Sequence, residues 1–409
     1  MKDGTRRISP AWLVLPFLSF FAAAPSRQPA KWPLPVEKTS TPAGVGSTAP
    51  NFSVSPRGAL LSWIEQSGRT ALLKYSESDG IRWSPARTAA SGANWFVNWA
   101  DVPSVARLHN GALVAQWLEK SGSDTYAYDV HLSYSIDDGK TWQPSFVPHH
   151  DGTPTEHGFV SLFDGAGGGL GLVWLDGRAT AGHGTHDGGE MSLRFAAYDA
   201  RWKQTADLAL DARVCECCPT AMAVTADGPL VAYRDRGPSE VRDIQVTRLE
   251  NGTWTPPVAV HNDEWRVPAC PVNGPALSAR GRDVAVAWFM AKDDQPRSFL
   301  AFSSDAGRTF GDPVRLDDEA SLGRVDVELL RDGSAVGSYV EFAGQRAGFR
   351  VRRVERNGTR SAPVTIAGLT GNRTSGIPRM ALYRDQLMFA WVDREGGTAQ
   401  VRTARSRVR

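Results

Sequence analysis

Seven aromatic residues, Trp63, Trp117, Trp174, Tyr233, Trp288, Tyr339 and Trp391, recur at intervals of 54, 57, 59, 55, 51 and 52 residues. Each lies in an alternating apolar run, as in Gly58-Ala-Leu-Leu-Ser-Trp63-Ile-Glu65 or Leu387-Met-Phe-Ala-Trp391-Val-Asp393. Period-2 alternation marks a strand, and a spacing of this size leaves room for about four strands in each repeat. A single such unit cannot bury its own apolar face, so repeated units must stack on one another. The pattern predicts an all-β fold, a β-propeller of four-stranded blades. Seven blades follow from the count, and six stand as the alternative if one hairpin is an extra.

A second landmark follows each of the first six runs. Ser135-Ile-Asp137-Asp-Gly139-Lys-Thr141-Trp142 and Ser303-Ser-Asp305-Ala-Gly307-Arg-Thr309-Phe310 are complete copies. Weaker copies end at Trp83, Trp202, Trp254 and Arg360. The logic is that of a hairpin turn: the Asp accepts turn amides, the Gly supplies a left-handed conformation, and the aromatic packs between blades. A fourth strand follows each turn, as in Gly311-Asp-Pro-Val-Arg-Leu316. The seventh unit ends at Gln400–Ala404 without one. Trp32-Pro-Leu-Pro-Val36 has the missing pattern. It is expected to pair with the last blade and close the ring, leaving no exposed sheet end.

Ahead of the repeats, Arg6 and Arg7 precede an apolar run from Ala11 to Ala24, followed by small and polar residues. That reads as a signal peptide, residues 1–25, cut after Ala24 and too short for a comfortable membrane span. The expectation is a single propeller over residues 26–409, secreted or periplasmic, with no stable membrane span after processing. The formal net charge is only +2, and no basic stripe alternates with aromatics. Nucleic acid is therefore excluded as a partner, and a glycan or other small anionic ligand is the class left open.

In such a blade the first strand starts at one rim, here called the top, and the second returns to it. The Asp-bearing turns then fall at the bottom. Residues that open each first strand, and those that follow each aromatic landmark, converge at the top, where loops on a rigid scaffold carry function. This set contains Asp101, Glu156-His157, the Cys215–Pro219 loop, Cys270 and Gly376–Arg379. It also contains Glu65, Glu119, Asp176 with Arg178, Arg234-Asp235-Arg236, Glu341 and Asp393. Trp95 and Trp99, just before Asp101, are candidates for stacking on a sugar ring or for inter-blade packing.

All four cysteines, Cys215, Cys217, Cys218 and Cys270, lie at the top of two adjacent repeats. An even number in an exported chain fits two disulfides, for example Cys218–Cys270 with a second inside Cys215–Cys217. With His183 and His186 on the preceding repeat, the same sulfurs fit a copper or zinc site. A redox-active dithiol is the third possibility.

The complete turns, their phase and the export segment resemble the sialidase (neuraminidase) superfamily of Asp-box propellers. The resemblance covers nearly the whole chain after the leader, at the level of repeats. It implies cleavage of acidic glycans, with three arginines on the substrate carboxylate, a tyrosine nucleophile activated by a glutamate, and an aspartate acid/base. The family's Arg-Ile-Pro motif is missing from the first inner strand, which reads Pro50-Asn-Phe-Ser-Val-Ser55. The nearest match, Gly376-Ile377-Pro378-Arg379, has glycine in place of the arginine. By position at the top face, the substrate-binding candidates are Arg178, Arg234, Asp235, Arg236 and Arg379. The catalytic candidates are Asp101 as acid, Tyr233 or Tyr339 as nucleophile, and Glu341. Three readings remain open: a sialidase-like glycoside hydrolase, a non-hydrolytic propeller with a Cys/His metal or redox site, and a binding scaffold.

Overall fold

The computed structural model describes residues 35–182, 189–344, 346–394 and 397–408, together with Met1 and Trp32. Trp32–Arg409 forms one compact unit. Apart from Met1, the expected signal peptide lies outside the described residues.

Trp32–Arg409 is a seven-bladed β-propeller. The inner strands of blades 1 to 7 are Thr48–Val54, Ser104–Arg107, His157–Asp164, Ala221–Thr225, Ala276–Arg280, Ser321–Leu329 and Arg379–Tyr383. In blades 1 to 6 the chain runs outward through antiparallel neighbours in sequence order, and in blade 7 it does so for the three inner strands. Blade 2 completes its fourth position with one bridge, in which Phe146 exchanges both backbone hydrogen bonds with Leu132.

The ring is closed by the N-terminal segment, but not by the residues expected. Glu37–Thr39 pairs with Gln400–Arg407, with Glu37 opposite Arg405 and Thr39 opposite Thr403. Proline has no N–H to give a ladder, so Trp32-Pro-Leu-Pro-Val36 is a poor strand and pairing begins just beyond it. Trp32 and Val36 instead pack against the core between blades 6 and 7. The Trp32 indole N–H donates to the Ala362 carbonyl at 2.7 Å.

All seven landmark aromatics are buried. Their polar atoms explain several of the acids nearby, because a buried indole or phenol needs an acceptor. Trp63 donates to Glu65 at 2.8 Å and Trp174 to Asp176 at 2.9 Å. Tyr233 donates to Asp211 at 2.6 Å and Trp288 to Asp263 at 2.7 Å.

The two complete turns share one hydrogen-bond pattern. Asp137 accepts from Ser135 Oγ and the amides of Lys140 and Thr141 on one oxygen, and from Thr141 Oγ1 on the other. Asp305 does the same with Ser303, Arg308 and Thr309. Gly139 and Gly307 supply the left-handed residues, at φ 77° and 80°.

Candidate functional site

Three inner strands begin with the same irregularity. In blades 1, 3 and 6 two residues stand opposite one: Ala49-Pro50 opposite Trp63, Phe159-Val160 opposite Trp174, and Arg324-Val325 opposite Tyr339. Ala49, Phe159 and Arg324 have φ of 53°, 55° and 52°. Such bulges bend the strand and re-aim its groups, and they gather near functional sites. Two of the freed amides are held by a polar side chain leading into the preceding blade. Asp101 Oδ1 accepts the Phe159 N–H at 2.8 Å, and Asn273 Oδ1 accepts the Arg324 N–H at 2.8 Å. An asparagine therefore suffices for this structural bond. Asp101 performs it with a titratable group.

Asp101 is 1% exposed and lines an axial cavity of about 450 Å³ between the inner strands. The Tyr128 hydroxyl donates to Glu156 Oε1 at 2.6 Å and lies 3.4 Å from Asp101 Oδ2. Burial pushes the Asp101 carboxyl up to about 7. Burial, helped by the charges of Asp101 and Glu216, pushes Glu156 up to about 8. Burial and the two carboxyls push the Tyr128 phenol well up as well, so it stays a proton donor. Gly158 makes the arrangement possible: a Cβ there would strike Asp101 Oδ2 and come within 3.0 Å of the Tyr128 ring.

Beside Glu156 lies a second buried cluster. His149 and His157 stack with centroids 3.9 Å apart and planes 7° from parallel. His157 Nδ1 lies 3.5 Å from Asp129, and His157 Nε2 lies 3.4 Å from Asp151 and 3.8 Å from Asp176. Burial works against its charge, but the three carboxylates hold its pKa up. Burial and the His157 charge push His149 down to about 4. Groups of two histidines and an aspartate, or one histidine and two, have metal-ligand composition. However, imidazole lone pairs lie in the ring plane, so two parallel rings do not aim at one ion. The pair is arranged as one charged and one neutral ring.

On the other side, Glu216 lies within the cysteine loop, between Cys215 and Cys217. Cys217 and Cys270 form a disulfide between the segments leading into blades 4 and 5, while Cys215 and Cys218 are buried thiols. This corrects the expected partners Cys218–Cys270 and Cys215–Cys217. The Sγ atoms of Cys215 and Cys218 are 2.7 Å apart. Arg242 donates to Cys215 Sγ at 3.4 Å and to Glu216 at 2.7 Å. A guanidinium at this range favours a thiolate and opposes a cation, and Cys217, spent in its disulfide, offers no thiolate. Copper or zinc therefore does not fit the sulfurs as they stand. His183 and His186 lie outside the described residues.

The other sequence-derived candidates scatter. Tyr233 and Tyr339 are core residues, for they occupy the same repeat position as the buried tryptophans. Glu341 is wholly buried, accepting the amides of Asp318 and Glu319 and an N–H of Arg350. Arg234 lies over Trp265 and donates to the carbonyls of Asn273, Arg242 and Phe289. Arg236 pairs with Glu240, and Arg178 with Asp176 and Asp151. Asp235 accepts the Arg236 amide, and burial raises it to about 6. Arg379 lines the axial cavity near Asp326. Trp95 stacks on Trp117, whereas Trp99 lies under the Arg324 guanidinium at 5.3 Å. Among the described residues, the buried donors without a hydrogen-bond acceptor include Arg379 Nε and Arg324 Nη1, and also the Nε of Arg213, Arg242, Arg350 and Arg352. Tyr128 was missed because it opens a third strand and belongs to no repeated landmark.

No protein-family model matches the chain, and no curated protein does. Solved structures resemble it in fold. A protein of unknown function from Dyadobacter fermentans aligns at a TM-score of 0.51 and 14% identity, over 91% of this chain and 97% of its own. The polysaccharide lyase Uly1 aligns at 0.51 and 10% identity, over 88% and 90%. A mutant Trypanosoma rangeli sialidase with trans-sialidase activity aligns at 0.44 and 14%, over 74% and 53%. At these identities the likeness is one of fold alone. Among the described residues no helix is long and apolar enough to cross a membrane.

Proposed function

We propose that this chain is an exported glycan-cleaving propeller whose acid/base centre is Asp101 and Glu156, joined through Tyr128. One observation carries the reading: the Tyr128 hydroxyl stands between two buried carboxyls, 2.6 Å from Glu156 and 3.4 Å from Asp101, and burial raises both to about neutral pH or just above it. General acid and base catalysis works best when the group titrates near the working pH, and burial is the usual means of raising a carboxyl there. Cleaving a glycan needs a proton delivered to the leaving oxygen and a base for the attacking or departing hydrogen. Asp101, in the cavity wall, is placed to exchange the first. Glu156 accepts the Tyr128 hydrogen bond, which supports Tyr128 with Glu156 as the tyrosine–glutamate couple rather than Tyr233 or Tyr339 with Glu341.

An acidic glycan is the favoured class. Arg379, in the cavity wall, has its Nε buried without an acceptor, and a guanidinium with a free donor is suited to a carboxylate or sulfate. Polysaccharide lyase Uly1 has the same fold and acts on polysaccharide, which is compatible with this class. Export agrees with the disulfide, since such bonds persist in oxidising compartments.

The test is turnover on a panel of uronate-containing, sulfated and sialylated glycans, following reducing ends and the ultraviolet absorbance of unsaturated products. Both signals together indicate a lyase, and reducing ends alone a hydrolase. Binding without either would make the chain a binding scaffold and overturn the proposal.

A further inference from the structure

Three sulfurs stand in sequence at the top of blade 4. The buried pair Cys215 and Cys218, with Cys-x-x-Cys spacing, is separated by 2.7 Å, and Cys217 Sγ lies 3.9 Å from Cys215 Sγ. Cys217 is bonded to Cys270, which is exposed. The two buried sulfurs are not equivalent. Arg242 reaches Cys215 Sγ at 3.4 Å and is itself fixed by Glu216 at 2.7 Å and Glu240 at 2.9 Å. Burial works against a Cys215 thiolate, but the Cys218 thiol and the charges of Arg234 and Arg242 bring its pKa down to about 7. Burial and the neighbouring Cys215 push Cys218 up. One sulfur is thus a nucleophile near neutral pH and the other a protonated reserve, the asymmetry on which dithiol exchange depends.

We infer that Cys215 and Cys218 are a redox-active dithiol in exchange with the Cys217–Cys270 disulfide, which relays reducing equivalents between the buried loop and the surface. In the first step the Cys215 thiolate attacks Cys217 Sγ. A Cys215–Cys217 bond forms, the Cys217–Cys270 bond breaks, and Cys270 leaves as a thiolate that takes a proton from water. In the second step Cys218 gives its proton to water and attacks Cys215 Sγ. A Cys215–Cys218 bond forms, and Cys217 leaves with the electron pair. The dithiol has lost two electrons and the Cys218 proton, and the former disulfide has gained two electrons and one proton, on Cys270, with Cys217 as the thiolate. A bond across a one-residue loop is strained, which makes Cys215–Cys217 a transient that passes its sulfur on. Exposed Cys270 is then the point of exchange with an external disulfide, of a protein or of a small thiol such as glutathione. This inference is independent of the glycan-cleaving reading.

The test is thiol trapping with peptide mass spectrometry on the full chain. Fully oxidised wild type receives one equivalent of a phosphine, which reaches the exposed Cys217–Cys270 bond, and free thiols are alkylated at successive times. Exchange predicts that the one remaining disulfide redistributes over both pairs, faster as the pH rises through about 7. If the reduced pair stays Cys217 and Cys270 at every time and pH, the inference fails. In Cys218→Ser the relay stops after its first step, so alkylation should find a minor fraction with Cys270 modified and Cys215 bonded to Cys217, small because that bond is strained. No trace of a Cys215–Cys217 bond in that variant at any time or pH would also overturn it. The wild-type arm stands alone if the variant does not fold.

Discussion

The Tyr128 hydroxyl donates to Glu156 at 2.6 Å and stands 3.4 Å from Asp101. The three side chains come from three places: the segment leading into blade 2, the third strand of that blade, and the segment leading into blade 3. One phenol thereby links two carboxyls that would otherwise face each other with no proton between them. Their high pKa values follow from burial, to which the charge of Asp101 adds at Glu156.

Tyr128→Phe removes the link and keeps the ring. Leaving a buried carboxyl without its donor costs about 1–3 kcal/mol, and the loss of a positioned proton costs about a hundredfold or more in rate. The expected result is a lower melting temperature with a kcat loss of that size on the best glycan of the panel. Calorimetry and steady-state kinetics on one preparation check both.

Gly158→Ala places a methyl group where Asp101 Oδ2 now sits. The carboxyl must move, and the Phe159 amide loses its acceptor. Activity should fall by at least tenfold while the circular dichroism spectrum remains that of the wild type. Normal kinetics in this variant would show that the position of Asp101 does not matter to turnover.

The pH dependence of stability has a definite sign. Folding raises Asp101 from 3.8 to about 7 and Glu156 from 4.5 to about 8, so the folded chain holds protons that the unfolded chain has released. Their stabilising contribution is fully present below the unfolded values and is lost as the pH rises through about 7 and about 8. Folding also shifts other buried groups, His149 downward and His157, Asp235 and Glu328 upward, so a difference measurement is needed. Asp101→Asn preserves the bond to Phe159 and removes the titration. Urea denaturation from about pH 5 to about pH 8 should show a shallower fall in stability for the variant than for wild type.

The bottom face should answer differently. Asp305 accepts four hydrogen bonds in its turn, and the adjoining Arg308 pairs with Asp227 of the neighbouring blade at 2.6 Å. Asp305→Ala should cost about 1–2 kcal/mol, as the loss of a capping side chain does. Turnover by the folded fraction should not change.

The architecture was legible because its signal is periodic. Trp63, Trp117, Trp174, Trp288 and Trp391 fix blade positions by spacing alone. Ring closure was read from a pattern of apolar residues that ignored what Pro35 cannot donate, and so it was placed a few residues early. The same periodicity that found the blades also held the answer for Tyr233 and Tyr339. They stand where the tryptophans stand, and that position faces the core. Arg234 misled because its charge is legible in sequence, whereas the three carbonyls that engage it come from distant segments. Asp101 was found by its place at the head of an inner strand. Tyr128 and Glu156 are joined only by the approach of blades 2 and 3. Four cysteines allow three pairings, and only geometry selects Cys217–Cys270.

The most direct test of the account is turnover of the acidic-glycan panel by wild type and by Asp101→Asn, which keeps the structural hydrogen bond and removes the acid. The account predicts released oligosaccharides with wild type, and a loss of about a hundredfold or more in the variant at unchanged melting behaviour near pH 7. No release by wild type from any acidic glycan, or equal rates for the two proteins, would contradict it.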